Sequence, residues 1–324
     1  MANHLIVSNK INKFNKTINV SGDKSISIRW VLFASLANGI SKANNLLKSE
    51  DVIATLNAIK KLGIKYKIKN NQCTIYGKGI EGFKYKKNIT INAKNSGTLA
   101  RLILGLLIKS KVKVRLIGDK SLSTRDFSRV IKPLKLLGAN IKSKNNLLPV
   151  EILGTEFLRP IVYDEKIGSA QVKSCIILGA LNTPGITTIN SAKSRNHTEL
   201  MLKFLNYPIQ IKKQKNKDKI FIKGLNQIKA FKYRVPGDIS SAAFFIVLTL
   251  LSNKSQMIIE KVNINDSRIG IIKILNKMGA EIKFKNRELY NGEDIADIYV
   301  KSKKNLKSVN CPSKLNSSAI DEFL

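Results

Sequence analysis

Histidine occurs twice, tryptophan once and cysteine three times in 324 residues, and these scarcities narrow the field. Cys73, Cys175 and Cys311 are odd in number, widely scattered and without metal-ligand spacing. That pattern argues against a disulfide framework or a zinc site and for reduced thiols in a cytosolic protein. No apolar run approaches the roughly 18–20 residues of a membrane span. The start, Met1-Ala2-Asn3-His4-Leu5-Ile6-Val7, lacks the charged-then-apolar layout of a signal peptide. Acidic residues are also few, 22 against 57 basic ones, for a formal charge of +35. A nucleic acid or a membrane is the usual partner of such an excess. Here the lysines run along the whole chain instead of clustering, aromatics for base stacking are only 6%, and Lys, Asn and Ile are all abundant, as in a biased proteome. Neither nucleic acid nor membrane is expected as a partner.

Arginine is scarce in a more useful way. Ten arginines stand against 47 lysines, so each has resisted a general preference for lysine. Arg29, Arg101, Arg125 and Arg195 fall inside the motifs below, whereas Arg115, Arg159, Arg234 and Arg287 read as ordinary surface residues. A planar, permanently charged fork suits bidentate carboxylate or phosphate recognition, a task lysine does not perform equally.

What is present begins with Ser21-Gly22-Asp23-Lys24-Ser25-Ile26-Ser27-Ile28-Arg29, followed by the apolar run Trp30 to Ala37 and by Asn38-Gly39. This order predicts a tight turn feeding a helix, with Gly39 as its stop signal. The first N–H groups of a helix lack internal partners and carry the positive end of its dipole. With Lys24, Ser25 and Arg29 around them, they suit a phosphate or carboxylate. A capped surface helix with chance lysines is the plain alternative.

The pattern recurs. Glycine- and serine-led helices of one type begin at Gly22-Asp23-Lys24-Ser25, Asn95-Ser96-Gly97-Thr98, Gly168-Ser169-Ala170-Gln171 and Gly237-Asp238-Ile239-Ser240-Ser241; from Ser25 to Gly97, to Ser169 and to Ser240 the steps are 72, 72 and 71 residues. Between them a second, amphipathic type is predicted over residues 49–63, 123–139, 194–208 and 265–280. Alternating segments such as Ile64–Ile68 and Ala280–Phe284 read as half-exposed strands. Four copies of a mixed unit of about seventy residues imply an α/β or α+β fold with a shared core. Repetition would bring several helix starts to one side, making a site for a polyanionic small molecule. A fifth copy is expected near residue 312, with Asn316 to Leu324 as its polar lead, and the chain reads as truncated there.

Seven stretches carry a resemblance. Gly22-Asp23-Lys24-Ser25-Ile26-Ser27-Ile28-Arg29, Asn95-Ser96-Gly97-Thr98-Leu99-Ala100-Arg101 and Gly118-Asp119-Lys120-Ser121-Leu122-Ser123-Thr124-Arg125 are the first three. Ser169-Ala170-Gln171-Val172-Lys173-Ser174, Ser194-Arg195-Asn196-His197-Thr198-Glu199, Val235-Pro236-Gly237-Asp238-Ile239-Ser240-Ser241-Ala242 and Ile320-Asp321-Glu322 follow. Together they resemble the 3-phosphoshikimate 1-carboxyvinyltransferase (EPSP synthase) family, in the family's order, from about residue 6 to the end. The resemblance implies inside-out α/β barrels built from repeated units. The complete three-unit domain would be 22–236, and 1–21 plus 237–324 an incomplete second domain. The active site would lie in the cleft between them.

The implied reaction transfers an enolpyruvyl group from phosphoenolpyruvate to the 5-hydroxyl of shikimate 3-phosphate, on the path to chorismate, in a cytoplasmic monomer without cofactor or metal. By the resemblance, Lys24, Ser25, Arg29, Ser169, Ala170, Gln171, Arg195 and Asp321 bind shikimate 3-phosphate. Lys24, Asn95, Gly97, Arg125 and Gln171 bind phosphoenolpyruvate, and Lys24 with Asp321 moves protons. Arg101 is expected in a structural ion pair, and His197 as a cap or packing residue. The family's further acid/base carboxylate and phosphoenolpyruvate-binding arginines and lysine would lie past Leu324, so low activity and doubtful stability are expected of these 324 residues alone. Besides the nucleic-acid-binding module weighed above, two other readings stay open. One is a non-catalytic binder of shikimate 3-phosphate. The other is a UDP-N-acetylglucosamine enolpyruvyl transferase, whose reactive loop cysteine and Lys-Asn opening motif are not found here.

Overall fold

Asp23, Ser96, Ser169 and Asp238 each stand just before a helix and accept one of its orphan N–H groups. Asp23 Oδ1 takes that of Ile26 at 2.8 Å, Ser96 Oγ that of Leu99 at 3.3 Å, Ser169 Oγ that of Val172 at 3.4 Å, and Asp238 Oδ1 that of Ser240 at 2.7 Å. One capping chemistry therefore starts all four glycine- and serine-led helices. In the computed structural model, which describes residues 11, 13–85, 88–110 and 112–322, the helices are α1 (Lys24–Leu36), α2 (Glu50–Lys61), α3 (Gly97–Leu106), α4 (Lys120–Ser123), α5 (Ser128–Leu136), α6 (Ala170–Leu181), α7 (His197–Phe204), α8 (Ile239–Leu251), α9 (Gly270–Lys277) and α10 (Asn316–Ala319). Among the described residues no helix is long and apolar enough to cross a membrane. Most of the 1–21 segment and the expected Phe323-Leu324 ending lie outside the described residues.

The chain divides into two compact units, one of Gly22–Pro236 with Tyr290–Glu293 and the other of Met1–Ser21, Gly237–Leu289 and Asp294–Leu324. The first unit holds three sheets of one design. Ile89–Asn92 runs parallel to Val114–Ile117, which pairs antiparallel with Val150–Leu153, itself antiparallel to Asn140–Ser143. Val162–Glu165, Ile186–Ala192, Lys217–Lys223 and Ile209–Lys213 repeat that order. In the remaining sheet Ala37–Asn44 pairs antiparallel with Gln72–Lys78, which pairs with Lys65–Lys69. Its parallel neighbours, Ile228–Lys229 and Lys232–Arg234, come from the far end of the segment. That return closes the set of three.

Helices are inside and sheets outside. Every residue from Ile26 to Leu36 of α1 and from Val172 to Leu181 of α6 is buried, so these two helices have no wet face. Apart from the buried charges Arg29 and Lys173 and a few hydroxyls, they are apolar on every side, as fully buried helices are. By contrast, α2 buries Val52, Leu56 and Ile59 on one side and exposes Lys60 and Lys61, which also complement the negative end of its dipole. Helix α3 lies against α6 at very short range. A Cβ on Gly105 would sit 2.3 Å from the Cys175 carbonyl oxygen, so only glycine admits this approach.

The second unit repeats the design once. Asn15–Asn19 runs parallel to Gln256–Asn263, which pairs antiparallel with Glu293–Lys301, next to Ile282–Tyr290. Its core gathers Ile239, Ile246, Leu250, Ile259, Val262, Ile272 and Ile298.

Two sequence expectations need correction. Gly39 does not stop α1: the helix ends at Leu36 and a strand begins at once, with Gly39 inside that strand at φ +106°. Three of the amphipathic helices start later than expected, at Ser128, His197 and Gly270. Local side chains cause two of the delays, because Asp126 accepts from Ser128 N–H at 2.8 Å and Asn265 from Ser267 N–H at 2.9 Å, turning the chain first. The expected fifth lead forms one short turn, α10, followed by a 3-10 turn at Ile320–Glu322.

Candidate active site

Arginine 29 stands on the second turn of α1 and is only 3% exposed. Its Nε donates to Thr198 Oγ1 at 2.7 Å, one Nη to the Ser25 carbonyl at 3.0 Å, and the other to Ser174 Oγ at 3.1 Å. Burial pulls its pKa from 12.5 to about 10, partly opposed by Glu199 and Asp23, with Arg195 adding to the lowering. It remains a cation at neutral pH. All three of these hydrogen-bond acceptors are neutral. A buried charge normally lies against a carboxylate, because its desolvation otherwise goes uncompensated. Ser25 is half-buried beside it, and Lys24 is exposed with Nζ 3.7 Å from Asp51.

The start of α3 forms a second cationic group. Arg125, just past α4, donates to Asn95 Oδ1 at 3.0 Å. A Cβ on Gly97 would meet Arg101 Nη1 at 2.8 Å and Arg125 Nη1 at 3.2 Å, so the bare glycine is what lets both guanidinium groups come this close to the backbone. Arg101 differs from expectation. Among the described residues it makes no ion pair; its interactions are with Gln171 Oε1 at 2.9 Å, the Gly97 carbonyl at 3.4 Å and the Phe127 ring at 5.1 Å. Burial lowers its pKa first, and the like charges of Arg125 and Arg129 lower it further.

Helix α6 joins the two groups. Near its start, Gln171 reaches Arg101 with its oxygen and Thr98 Oγ1 with its nitrogen at 3.1 Å, while Ser174, one turn later, holds Arg29. Ser169 caps this helix and Ala170 is its first residue. The turn before it is fixed by buried Glu165, whose two oxygens accept the N–H groups of Ile167 at 3.2 Å and Gly168 at 2.8 Å. Three successive buried residues at the start of α7 anchor the segment that carries Arg195. His197 Nδ1 lies 2.7 Å from Glu293, Thr198 bonds Arg29 and Ser174, and Glu199 lies 2.7 Å from Lys173 Nζ. His197 is thus packed in a buried hydrogen-bonded pair with Glu293.

The first unit therefore gathers Ser25, Arg29, Asn95, Gly97, Arg125, Gln171 and Arg195 around the starts of α1, α3, α6 and α7, with Lys24 heading α1. Asp321 belongs to the second unit, where its carboxylate is 3.3 Å from Arg268. Arg268 is itself buried and donates to Ser240 Oγ at 2.8 Å. Sequence reasoning passed over Arg268, Ser174, Thr198 and the Lys173–Glu199 pair. The scarcity of arginine could have flagged the first of these.

Residues 8–317 match the profile of the family described as EPSP synthase (3-phosphoshikimate 1-carboxyvinyltransferase). The 3-phosphoshikimate 1-carboxyvinyltransferase of Ruthia magnifica subsp. Calyptogena magnifica is 44% identical over 313 residues, covering 96% of this chain and 71% of that protein. The enzyme of the same name from Vesicomyosocius okutanii is 42% identical over 318 residues, covering 98% and 72%. Among solved structures, EPSP synthase from Acinetobacter baumannii superimposes with a TM-score of 0.86 at 38% identity, over 96% of this chain and 70% of that one.

Proposed function

Because the chain belongs to the EPSP synthase family, we propose that it transfers the enolpyruvyl group from phosphoenolpyruvate to the 5-hydroxyl of shikimate 3-phosphate, releasing phosphate, in the synthesis of chorismate and the aromatic amino acids. The hydroxyl oxygen bonds to the enol carbon while the methylene gains a proton. The tetrahedral adduct then expels phosphate, and the new methyl group gives up a proton to restore the double bond. The enzyme must hold two phosphates and two carboxylates together and relay protons, tasks of positioning and electrostatics.

The observation that carries this reading is Arg29, a buried cation bonded to three neutral oxygens. Such a cation is completed by an anionic ligand. Arg29 and Ser25 hold the shikimate carboxylate and ring, and Ser169, Ala170 and Arg195 its phosphate at the α6 start. Arg125, Lys24, Asn95 and Gly97 hold phosphoenolpyruvate, and Gln171 sits between the substrates. Lys24 and Asp321 carry the protons. The same reading takes 22–236 as one complete three-copy domain and 1–21 with 237–324 as part of a second, which the three like-ordered sheets support. Every assigned residue comes from this chain, in keeping with a monomer, and three unpaired cysteines suit the cytoplasm.

Phosphate release from phosphoenolpyruvate and shikimate 3-phosphate tests the activity. With both substrates, release must depend on shikimate 3-phosphate. Calorimetry that finds shikimate 3-phosphate binding without any turnover, in a protein that also carries the residues the resemblance places past Leu324, would point instead to a non-catalytic binder. Arg125→Lys should weaken phosphoenolpyruvate binding and spare shikimate 3-phosphate. Unchanged affinity for phosphoenolpyruvate removes Arg125 from the site.

A further inference from the structure

We infer that Ser174 and Thr198 are positioning residues that aim the Arg29 guanidinium at the carboxylate of shikimate 3-phosphate. The inference rests on the assignment of Arg29 above and goes past it, since neither hydroxyl is there given a role.

A guanidinium carries five N–H groups in a rigid plane. Thr198 Oγ1 takes the one on Nε at 2.7 Å, Ser174 Oγ one on a terminal nitrogen at 3.1 Å, and the Ser25 carbonyl one on the other at 3.0 Å. The two hydroxyl oxygens are 2.7 Å apart and bonded to each other, so they act as a paired acceptor along one edge of the fork. Two contacts along an edge fix both the plane and its rotation, and the carbonyl at the start of the same helix fixes its distance from α1. One N–H remains on each terminal nitrogen, the arrangement a bidentate carboxylate accepts.

The choice of hydroxyls matters. A carboxylate at either position would hold the fork as firmly, but it would also neutralise the charge that the ligand needs. The nearby carboxylate of Glu199 is instead engaged by Lys173 Nζ at 2.7 Å. Ser174 and Thr198 come from α6 and α7, so the pair also sets those helices against α1 at the one point where a cation must be aimed. Both hydroxyl-bearing residues are at most 1% exposed, and neither can contact solvent in place of Arg29.

Thr198→Val keeps the side-chain volume and removes the acceptor of Nε–H, and Ser174→Ala removes the other. Calorimetric titration with shikimate 3-phosphate should show each variant binding about tenfold more weakly, the loss expected for one hydrogen bond to a charged group. Thr198→Ser should restore the affinity. In an Arg29→Ala background, Thr198→Val should cause no further loss, an outcome that a merely structural hydroxyl would not give. If Thr198→Val fails to fold, Ser174→Ala and Thr198→Ser carry the same test. If Arg29→Ala itself leaves shikimate 3-phosphate binding intact, the assignment of Arg29 is wrong. If Arg29→Ala weakens binding while Ser174→Ala and Thr198→Val bind as the unaltered protein does, the positioning inference alone is overturned.

Discussion

Arg101 Nη1 donates to Gln171 Oε1 at 2.9 Å, so the amide assigned between the two substrates is held by α3 as well as by its own helix. The guanidinium also lies over the Phe127 ring, which seats it without a carboxylate. Arg101→Met keeps the length and apolar contact of the side chain and removes the donor. Gln171 then loses its oxygen's partner, and its nitrogen bond to Thr98 no longer fixes the amide alone. The variant should fold, with a loss of about 1–2 kcal/mol in denaturant unfolding. Its KM for phosphoenolpyruvate should rise. An unchanged KM with a normal melting curve would detach Gln171 from substrate binding.

Gly97→Ala tests the same corner from the backbone. The two closest atoms the added methyl meets are the ends of flexible side chains, Arg101 at 2.8 Å and Arg125 at 3.2 Å, with Leu122 at an ordinary 3.8 Å, so both arginines can swing away without unfolding α3. Displacing Arg125 removes the cation assigned to phosphoenolpyruvate. Calorimetry should show that ligand weakened by about tenfold or more, with little change in shikimate 3-phosphate affinity. Equal losses for both ligands would mean that the loop serves the whole pocket.

The contrast between these residues shows what a sequence reveals. Asn95, Gly97 and Arg125 were marked by the resemblance, and Arg125 also by being an arginine in a lysine-rich chain. The four capped helix starts were legible because a cap acts within three residues. Ser174, Thr198, Lys173 and Glu199 were not, because each acts across helices: Arg29 and Thr198 are 169 residues apart in the chain. Hydroxyls and a buried ion pair leave no periodic trace. Helix boundaries near Asp126 and Asn265 were misjudged because a side chain captured the first N–H before a helix could. The return of Ile228–Lys229 to pair with Ala37–Asn44 depends on closure of three copies, which no local pattern encodes.

Cysteine chemistry separates this reading from that of a sugar-nucleotide enolpyruvyl transferase with a reactive loop cysteine. Burial pushes the Cys73 and Cys175 thiols up to about 12, where the nucleophilic thiolate is scarce at neutral pH. Cys311 is half-buried in an irregular segment. A thiol reagent at pH 8 should therefore modify Cys311 ahead of the other two, and all three only after denaturation. Modification of Cys311 should leave shikimate 3-phosphate affinity unchanged. A cysteine that reacts rapidly and is protected by phosphoenolpyruvate would reopen the other reading.

The Lys173–Glu199 pair gives the sharpest stability test, because its two side chains are 1% and 2% exposed with 2.7 Å between charges. Removing one partner strands the other charge in a dry interior, at a cost of about 3–5 kcal/mol. Replacing both with apolar residues of similar volume removes the desolvation penalty together with the attraction. Glu199→Gln should lower the unfolding free energy severely, whereas Lys173→Met with Glu199→Leu should come close to the unaltered protein. The pair also keeps Glu199 occupied beside Arg29. The double variant should therefore fold yet bind shikimate 3-phosphate no more weakly than the parent, because the Ser174 and Thr198 hydroxyls that hold the fork are untouched. A stable double variant that has lost its affinity would make Glu199 part of the ligand's field.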